Sequence, residues 1–529
     1  MSLLEGTHPI SPERLLALIR AMICDELTGS ETFLDFPAEM LVKRRTISTP
    51  SHAVDLPIAL LGVAFDKVSL GQALLRIEEM IASRLPHYVV TANVDFLVQA
   101  RRDLELQRIL LNAPLVLCDG TPLVWASKIL GNPLPERVAG ADLAPELIRL
   151  SAKKNYRLFF LGTTEEANAQ AIASVRAEYP NLEIDHYSPP FRPLLEMDDE
   201  EIIRRIRAAA PDMLFVAFGC PKAEKWLAMH YREIGVPVCI GVGATIDFLA
   251  GRVKRAPVWM QRGGVEWIFR LCQEPRRLFK RYARDLWHFG GAIVRQCWNT
   301  SCRELGKPRC MNSRISMSEP AWVRVDVATH LNRQTIEADG TLWQEMVEGQ
   351  RHCLLESSDV RSMDSTGIAT LIHLQKQLRT RQRQLVLISP STQMKAALAA
   401  MNLETFFEIA RDAVEARELI EARAQEETVH IEPTPTTPLE WFGEITSGNV
   451  EQVWQTTWAA FSAVQASATS WMIDLAEVRF MDSSGAKLLL RAEEISRKSG
   501  IHLHFNHPSA AVRNVLKVSR LEHLLDQAA

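Results

Sequence analysis

No run of about 20 consecutive apolar residues occurs, the length an α-helix needs to span a bilayer, so no transmembrane anchor is expected. The first residues include Glu5 and lack an apolar core ahead of a small-residue cleavage site, which argues against a secretory signal. An excess of one charge is also lacking. The formal net charge is −4, so nothing global calls for a nucleic-acid partner and any basic patch must be local. The nine cysteines form no disulfide-like framework: Cys118, Cys220 and Cys239 stand inside apolar runs, a usage suited to a reducing cytosol. Cys297, Cys302 and Cys310 fit no zinc spacing. Nor is there an Asp-x-Asp triplet, the usual sequence sign of a metal holding a diphosphate, so no metal is expected in that role, and no cofactor is expected either.

What is present is length: 529 residues, against roughly 150 per domain, imply several domains. Ser11-Pro12-Glu13 has the cap, early proline and early acid of a helix start, but residues 1–54 are otherwise polar and read as a loosely attached extension. Across 55–250, short apolar runs (58–63, 88–91, 115–118, 158–161, 213–218 and 236–241) alternate with helical stretches such as 70–81 and 167–177. This rhythm predicts an α/β domain on a largely parallel sheet.

Two runs end in polar tips 26 residues apart, Thr91-Ala-Asn93-Val-Asp95 and Cys118-Asp119-Gly120-Thr121-Pro122, counted from Asn93 to Asp119. At the carboxyl ends of such strands polar residues face the ligand crevice, and a glycine after an acid allows close approach. Helix capping by the aspartate accounts for the same pattern. Further clusters are Arg137-Val-Ala-Gly140-Ala-Asp142, Leu161-Gly162-Thr163-Thr164, Gly219-Cys-Pro221-Lys222-Ala223-Glu224 and Gly241-Val-Gly243-Ala-Thr245-Ile-Asp247. Glycines there bring backbone amides near a phosphate or sugar, although tight strand-to-helix turns need glycine anyway.

Residues 252–284 hold ten Lys or Arg against two acids, interleaved with Trp259, Trp267, Phe269, Phe279 and Tyr282. Such a segment either lies in a membrane interface, rings at headgroup depth and cations near anionic lipid, or docks as a solvated basic helix. We delimit a basic amphipathic appendage as 251–300. Polar linkers are expected at 301–320 and, around Glu432-Pro-Thr-Pro-Thr-Thr-Pro438, at 424–438. The segments they delimit, 321–423 and 439–529, repeat one another: Met363-Asp364-Ser365-Thr366-Gly367 answers Met481-Asp482-Ser483-Ser484-Gly485, each between a strand-like run and an apolar-striped helix.

In order, Thr-x-Asn, Asp-Gly-x-Pro, Arg-Val-x-Gly-x-Asp, Gly-x-Pro-Lys-x-Glu-x-Trp, Gly-x-Gly-x-x-x-Asp-Phe-x-x-Gly, Arg-Ala-Pro, Glu-Trp and Glu-Pro-x-Arg resemble the WecG/TagA/CpsF glycosyltransferase family over about 58–285. The resemblance implies a Rossmann-like, largely parallel-sheet domain with a C-terminal helical membrane appendage. It implies inverting, metal-independent transfer of an N-acetylmannosamine-type sugar from a UDP-sugar to a polyprenyl-diphosphate-linked acetamido sugar, in cell-surface polysaccharide synthesis. Asp119 matches the family's base. Thr91, Asn93, Gly120, Arg137, Gly140, Asp142, Gly162, Gly219, Pro221, Lys222 and Glu224 are the expected substrate-binding residues, with Asp247 at the ribose or uracil, or capping a helix. In that family the appendage docks on the membrane and brings cations over the site, and Arg270, Arg277 and Lys280 or Arg281 match them. The implied location is cytoplasmic, on the inner face of the membrane. One departure is Ala223, where the pattern expects Gln.

The repeats resemble STAS modules, small α/β domains of the anti-sigma-factor antagonist type. The resemblance implies Ser365 and Ser483 as phosphorylation sites, with a serine kinase or anti-sigma-type regulator as partner. A phosphate suits a helix N-terminus yet adds a dianion to any docking face. Inert oligomerisation units, with Asp364 and Asp482 as helix caps, fit the same residues. For the whole chain the alternative is a sugar-nucleotide-sensing scaffold with little or no turnover, prompted by Ala223.

Overall fold

The computed structural model describes residues 56–253, 255–262, 264–273, 275–301, 313–319, 321–426, 439–464 and 470–525. The helix start at Ser11 and most of both expected linkers lie outside these residues. The described residues divide into two units, one within 255–283, the other of 56–253 and those from 284 onward.

The larger unit opens with an antiparallel hairpin, β1 (Ile58–Leu60) and β2 (Val63–Phe65). The run 58–63, expected as one strand of the parallel sheet, is split because Leu61 and Gly62 take φ of 48° and 87°, as a two-residue hairpin turn requires. A side chain at Gly62 would also collide with the Met401 carbonyl of the first repeat, so the glycine permits two domains to meet there.

Six strands then form one sheet: β3 (His87–Ala92), β4 (Leu115–Cys118), β5 (Leu158–Gly162), β6 (Ile184–Tyr187), β7 (Met213–Ala217) and β8 (Val238–Gly241). Their order is β4-β3-β8-β7-β5-β6 and every pair is parallel. Alternate strand residues feed two cores. Val90, Val116, Phe159 and Leu214 pack with Leu97, Leu106, Leu123 and Trp226, while Val89, Leu117, Phe160 and Phe215 pack with Ile77, Leu147 and Ala171 on the other face. Helices on both faces explain why these strands read as unbroken apolar runs. β6 was not expected: its sequence Ile184-Asp-His-Tyr187 is that of a half-exposed edge strand, with no apolar run to detect.

The second half of the helix Pro275–Ser301 belongs to the larger unit. There Phe289, Ala292 and Ile293 enter the first of these cores, and Gln296 bridges the hairpin by donating to Ala59 O (2.9 Å) and accepting from Leu61 N (3.1 Å). Within the smaller unit lie the helices Val258–Arg262 and Glu266–Gln273, with Trp259 69% and Phe279 63% exposed. Among the described residues no helix is long and apolar enough to cross a membrane.

The first repeat has strands β9 (Arg314–Ser318), β10 (Trp322–Asp326), β11 (His330–Leu331), β12 (His352–Glu356), β13 (Ser362–Met363), β14 (Leu385–Ile388) and β15 (Glu408–Ala410), with sheet order β15-β14-β12-β10-β9 and a separate β11–β13 pair. β9 falls inside the segment expected as linker. The second repeat has β16 (Leu439–Glu440), β17 (Gly443–Ile445), β18 (Ser470–Asp474), β19 (Val478–Met481) and β20 (His502–Asn506), ordered β16-β18-β20 with a β17–β19 pair. The duplication extends to single bonds: Asp364 N donates to Leu331 O (3.0 Å) and Asp482 N to Ile445 O (3.1 Å).

Candidate active site

The register Ala92↔Cys118 sets the carboxyl ends of β3 and β4 side by side, and Asp119 N donates to Ala92 O at 2.9 Å. Asn93 and Asp119 thereby flank one edge of the sheet. Their local roles differ. Asn93 caps the helix Val94–Ala100, its Oδ1 accepting from Asp95 N (3.0 Å) and Phe96 N (3.3 Å). The helix Thr121–Ile129 has Gly120 at its N-cap, so Asp119 is not that helix's capping residue. Thr91 is buried and its hydroxyl donates to Gly241 O at 3.4 Å, tying β3 to the end of β8.

Val138 N donates to Cys118 O (2.8 Å), which brings the Arg137 segment to the end of β4. Arg137 is held by Asp142 Oδ2 at 2.8 Å, from the first turn of the helix Gly140–Lys154. A Cβ at Gly140 would lie 3.3 Å from Thr91 Oγ1 and 3.8 Å from Thr245 Oγ1, so the helix start abuts both threonines. Thr91, Asn93, Asp119, Gly120, Arg137, Gly140 and Asp142 therefore meet in one cluster. Beside it, burial first, and then the Asp119 charge, push the Cys118 thiol up to about 12, which removes it as a nucleophile.

Further along the sheet, Gly162 ends β5 with φ 99°, and a Cβ there would lie 2.9 Å from the Phe218 ring, so only glycine fits. The next residue, Thr163, donates to Asp247 Oδ1 at 3.1 Å. Asp247 stands in the first turn of the helix Thr245–Leu249, whose N-cap is Ala244. After β7, Gly219 has φ 79° and Pro221 follows through a cis peptide as N-cap of the helix Lys222–Ile234. Lys222 Nζ donates to Arg192 O at 2.5 Å, and burial lowers its pKa. Glu224 faces inward: 4% exposed, Oε1 2.7 Å from where a Cβ on Gly241 would be, Oε2 without a hydrogen-bond partner. Burial pushes its carboxyl up to about 7. Ala223 beside it is packed into the apolar core.

Two groups escaped the sequence. Thr245 lay inside a quoted motif but gave no signal of its role as neighbour to Gly140 and Thr91. Asp95 pairs with Arg284 at 2.9 Å, a contact 189 positions apart that no local pattern reveals. Arg270, Arg277, Lys280 and Arg281 belong to the other unit: Arg270 to the helix Glu266–Gln273, the rest to the first turns of Pro275–Ser301.

A doubly wound α/β domain with its polar residues gathered at the carboxyl ends of a parallel sheet is the ligand-binding class that such folds define. The Glycosyl transferase WecG/TagA/CpsF family model matches residues 58–303, and the model described as Mlab, STAS domain matches twice, at 317–410 and 436–526. The chain is 30% identical over 223 residues to the N-acetylglucosaminyldiphosphoundecaprenol N-acetyl-beta-D-mannosaminyltransferases of Staphylococcus aureus strains MW2, MRSA252 and NCTC 8325 / PS 47, covering 42% of this chain and 86% of each relative. The chain belongs to the WecG/TagA/CpsF family and is a glycosyltransferase joined to two STAS modules.

Both STAS motifs are helix caps. Asp364 Oδ1 accepts from Thr366 N and Gly367 N at 2.8 Å, and Asp482 Oδ1 from Ser484 N (2.8 Å) and Gly485 N (3.2 Å). The serines they precede, Ser365 and Ser483, are each 1% exposed.

Proposed function

We propose that this enzyme transfers an N-acetylmannosamine-type sugar, with inversion and without a metal, from a UDP-sugar to a polyprenyl-diphosphate-linked acetamido sugar at the inner face of the cytoplasmic membrane. The observation that carries this reading is Asp119 at the end of β4, beside Asn93 and the Asp142-held Arg137. In the proposed step the Asp119 carboxylate takes the proton of the acceptor hydroxyl. The hydroxyl oxygen bonds to the anomeric carbon from the face opposite the diphosphate, the anomeric C–O bond breaks, and UDP leaves with that electron pair. Arg137 supplies positive charge for the leaving diphosphate, and Arg270, Arg277, Lys280 and Arg281 of the appendage are proposed to add to it. The name carried by the S. aureus relatives supports the mannosaminyl donor and the lipid-diphosphate acceptor. The exposed Trp259 and Phe279 among these cations support membrane contact.

The test is a screen of UDP-sugars with one short-chain lipid-diphosphate-linked N-acetylglucosamine as acceptor, following UDP release. Transfer by the wild type that Asp119→Ala abolishes is the expected result; normal turnover in that variant removes Asp119 as base. A second reading, a sensor that binds a sugar nucleotide with little turnover, is favoured by Ala223, which presents no polar group at its position. Calorimetric binding of UDP-sugar without transfer to any lipid acceptor would establish it. Ser365 and Ser483 are proposed phosphorylation sites for a nucleoside-triphosphate-dependent kinase; both residues are buried in this arrangement, so a kinase reaches Ser483 only when its module moves.

A further inference from the structure

The two STAS modules are attached to the transferase core by different physics. The first shares its hydrophobic core: Leu56, Ala59 and Leu111 of the transferase pack in one cluster with Val325, Leu355, Leu371 and Leu403 of the module. Separating them would expose that apolar surface to water. The described core of the second module, by contrast, is drawn wholly from residues between Leu439 and Leu525. It meets the transferase through polar and charged groups. Ser483 donates its backbone N–H to Glu105 Oε1 (2.6 Å) and its hydroxyl to Oε2 (2.8 Å). Lys225 holds the same carboxylate at 2.7 Å and Asp103 at 2.8 Å. One turn along the serine's helix, Lys487 pairs with Asp199, which also accepts from Trp226 Nε1. Ser447 Oγ donates to Ala228 O (3.0 Å), and Arg108 pairs with Glu444 (3.0 Å) while lying over the Phe480 ring.

We propose that the second STAS module is a releasable clamp on the transferase, latched by the Ser483–Glu105–Lys225 contact and unseated by negative charge at Ser483, whereas the first module is a permanent part of the enzyme. The latch has the required asymmetry. As a neutral donor Ser483 satisfies both oxygens of a buried carboxylate. An anion in its place would face Glu105 across a hydrogen-bond distance with water excluded, and a buried charge facing its like is among the costliest arrangements a protein holds. What the clamp covers is the serine face of its own module, so the partner competing for that face is the chain itself. The proposal deepens the regulatory part of the function above, yet its readout needs no sugar, so its failure and that of the transferase reading are separable.

The experiment is hydrogen–deuterium exchange on the full chain. In wild type, the helices Leu104–Asn112 and Lys222–Ile234 and the start of the helix Ser483–Lys498 are expected to be protected. Ser483→Glu should shift the docking equilibrium by on the order of 100-fold and speed exchange at all three, while the β18 amides stay protected because the module remains folded. Should Ser483→Glu disturb the module itself, Glu444→Arg tests the same interface away from the serine. It should unseat the module, and Glu444→Arg with Arg108→Glu should reseat it. Unchanged exchange on the transferase helices in Glu444→Arg, or loss of β18 protection together with theirs in that variant, would overturn the proposal.

Discussion

Arg137 and Asp142 form an ion pair of 2.8 Å in which both side chains are mostly buried, 18% and 25% exposed, beside the end of the strand that Asp119 follows. In the proposed mechanism the pairing makes Asp142 a positioning residue. The guanidinium is fixed by a partner five residues away, itself fixed in the first turn of a helix whose start abuts Thr91 and Thr245. Asp142→Asn should therefore leave the fold intact and lower kcat/KM by up to about 100-fold, as small misplacements of an oriented charge do. Steady-state kinetics beside a thermal melt checks this; unchanged kcat/KM would show that Arg137 needs no such support.

Asp119→Asn keeps the shape of the residue and removes the proposed base. The expected fall in kcat is about 10²- to 10⁴-fold with little change in UDP-sugar affinity, because the general base acts in the reaction step. Calorimetry for binding and UDP release for turnover separate the two quantities.

Glu224 gives a pH signature. The folded protein holds its proton up to about pH 7, while the unfolded chain releases it near 4.5. Stability from this group is therefore fully present below 4.5 and is lost as pH rises to about 7. Glu224→Gln should remove the loss, so the melting temperature of the variant relative to wild type should be higher at pH 8 than at pH 5. Asp482, pushed up to about 6 by burial and by Glu105, imposes the same trend in both proteins and cancels in the comparison.

Leu111→Ala cuts into the core shared by the transferase and the first module. A cost of about 2–5 kcal/mol is expected, and the two domains should still unfold in one calorimetric transition. A separate transition for the first module would show that the common core does not couple them.

Replacing Trp259 and Phe279 together by serine should weaken binding to vesicles containing anionic lipid by at least about tenfold, since burying each ring is worth about 1.5–3 kcal/mol and tenfold corresponds to about 1.4. Sedimentation with vesicles measures it. Equal binding by the double variant would assign membrane contact to the cations alone.

Much of the architecture was legible because it is written in local patterns. β4 was delimited to the residue, and β3, β5, β7 and β8 to within two residues at each end, because strands buried on both faces must be apolar throughout. β6 and β9 were missed because exposed edge strands carry no such run. The run 58–63 was misread as one strand because hydrophobicity does not report the positive φ at Leu61 and Gly62.

The strand-end motifs identified the residues around Asp119 and the family they belong to, since a crevice at the carboxyl ends of a parallel sheet draws each wall from a short contiguous segment. Which way each side chain turns was settled elsewhere. Glu224 turns in against Gly241, Asp247 meets Thr163 across 84 positions, and Asp95 finds Arg284 across 189. The two Asp-Ser motifs were equivalent as sequence, and even their helix caps are alike. Only the tertiary structure made them differ, setting one module into a shared apolar core and sealing Ser483 of the other against Glu105, because partners separated by 378 positions are selected by packing and charge in space and leave no periodicity along the chain.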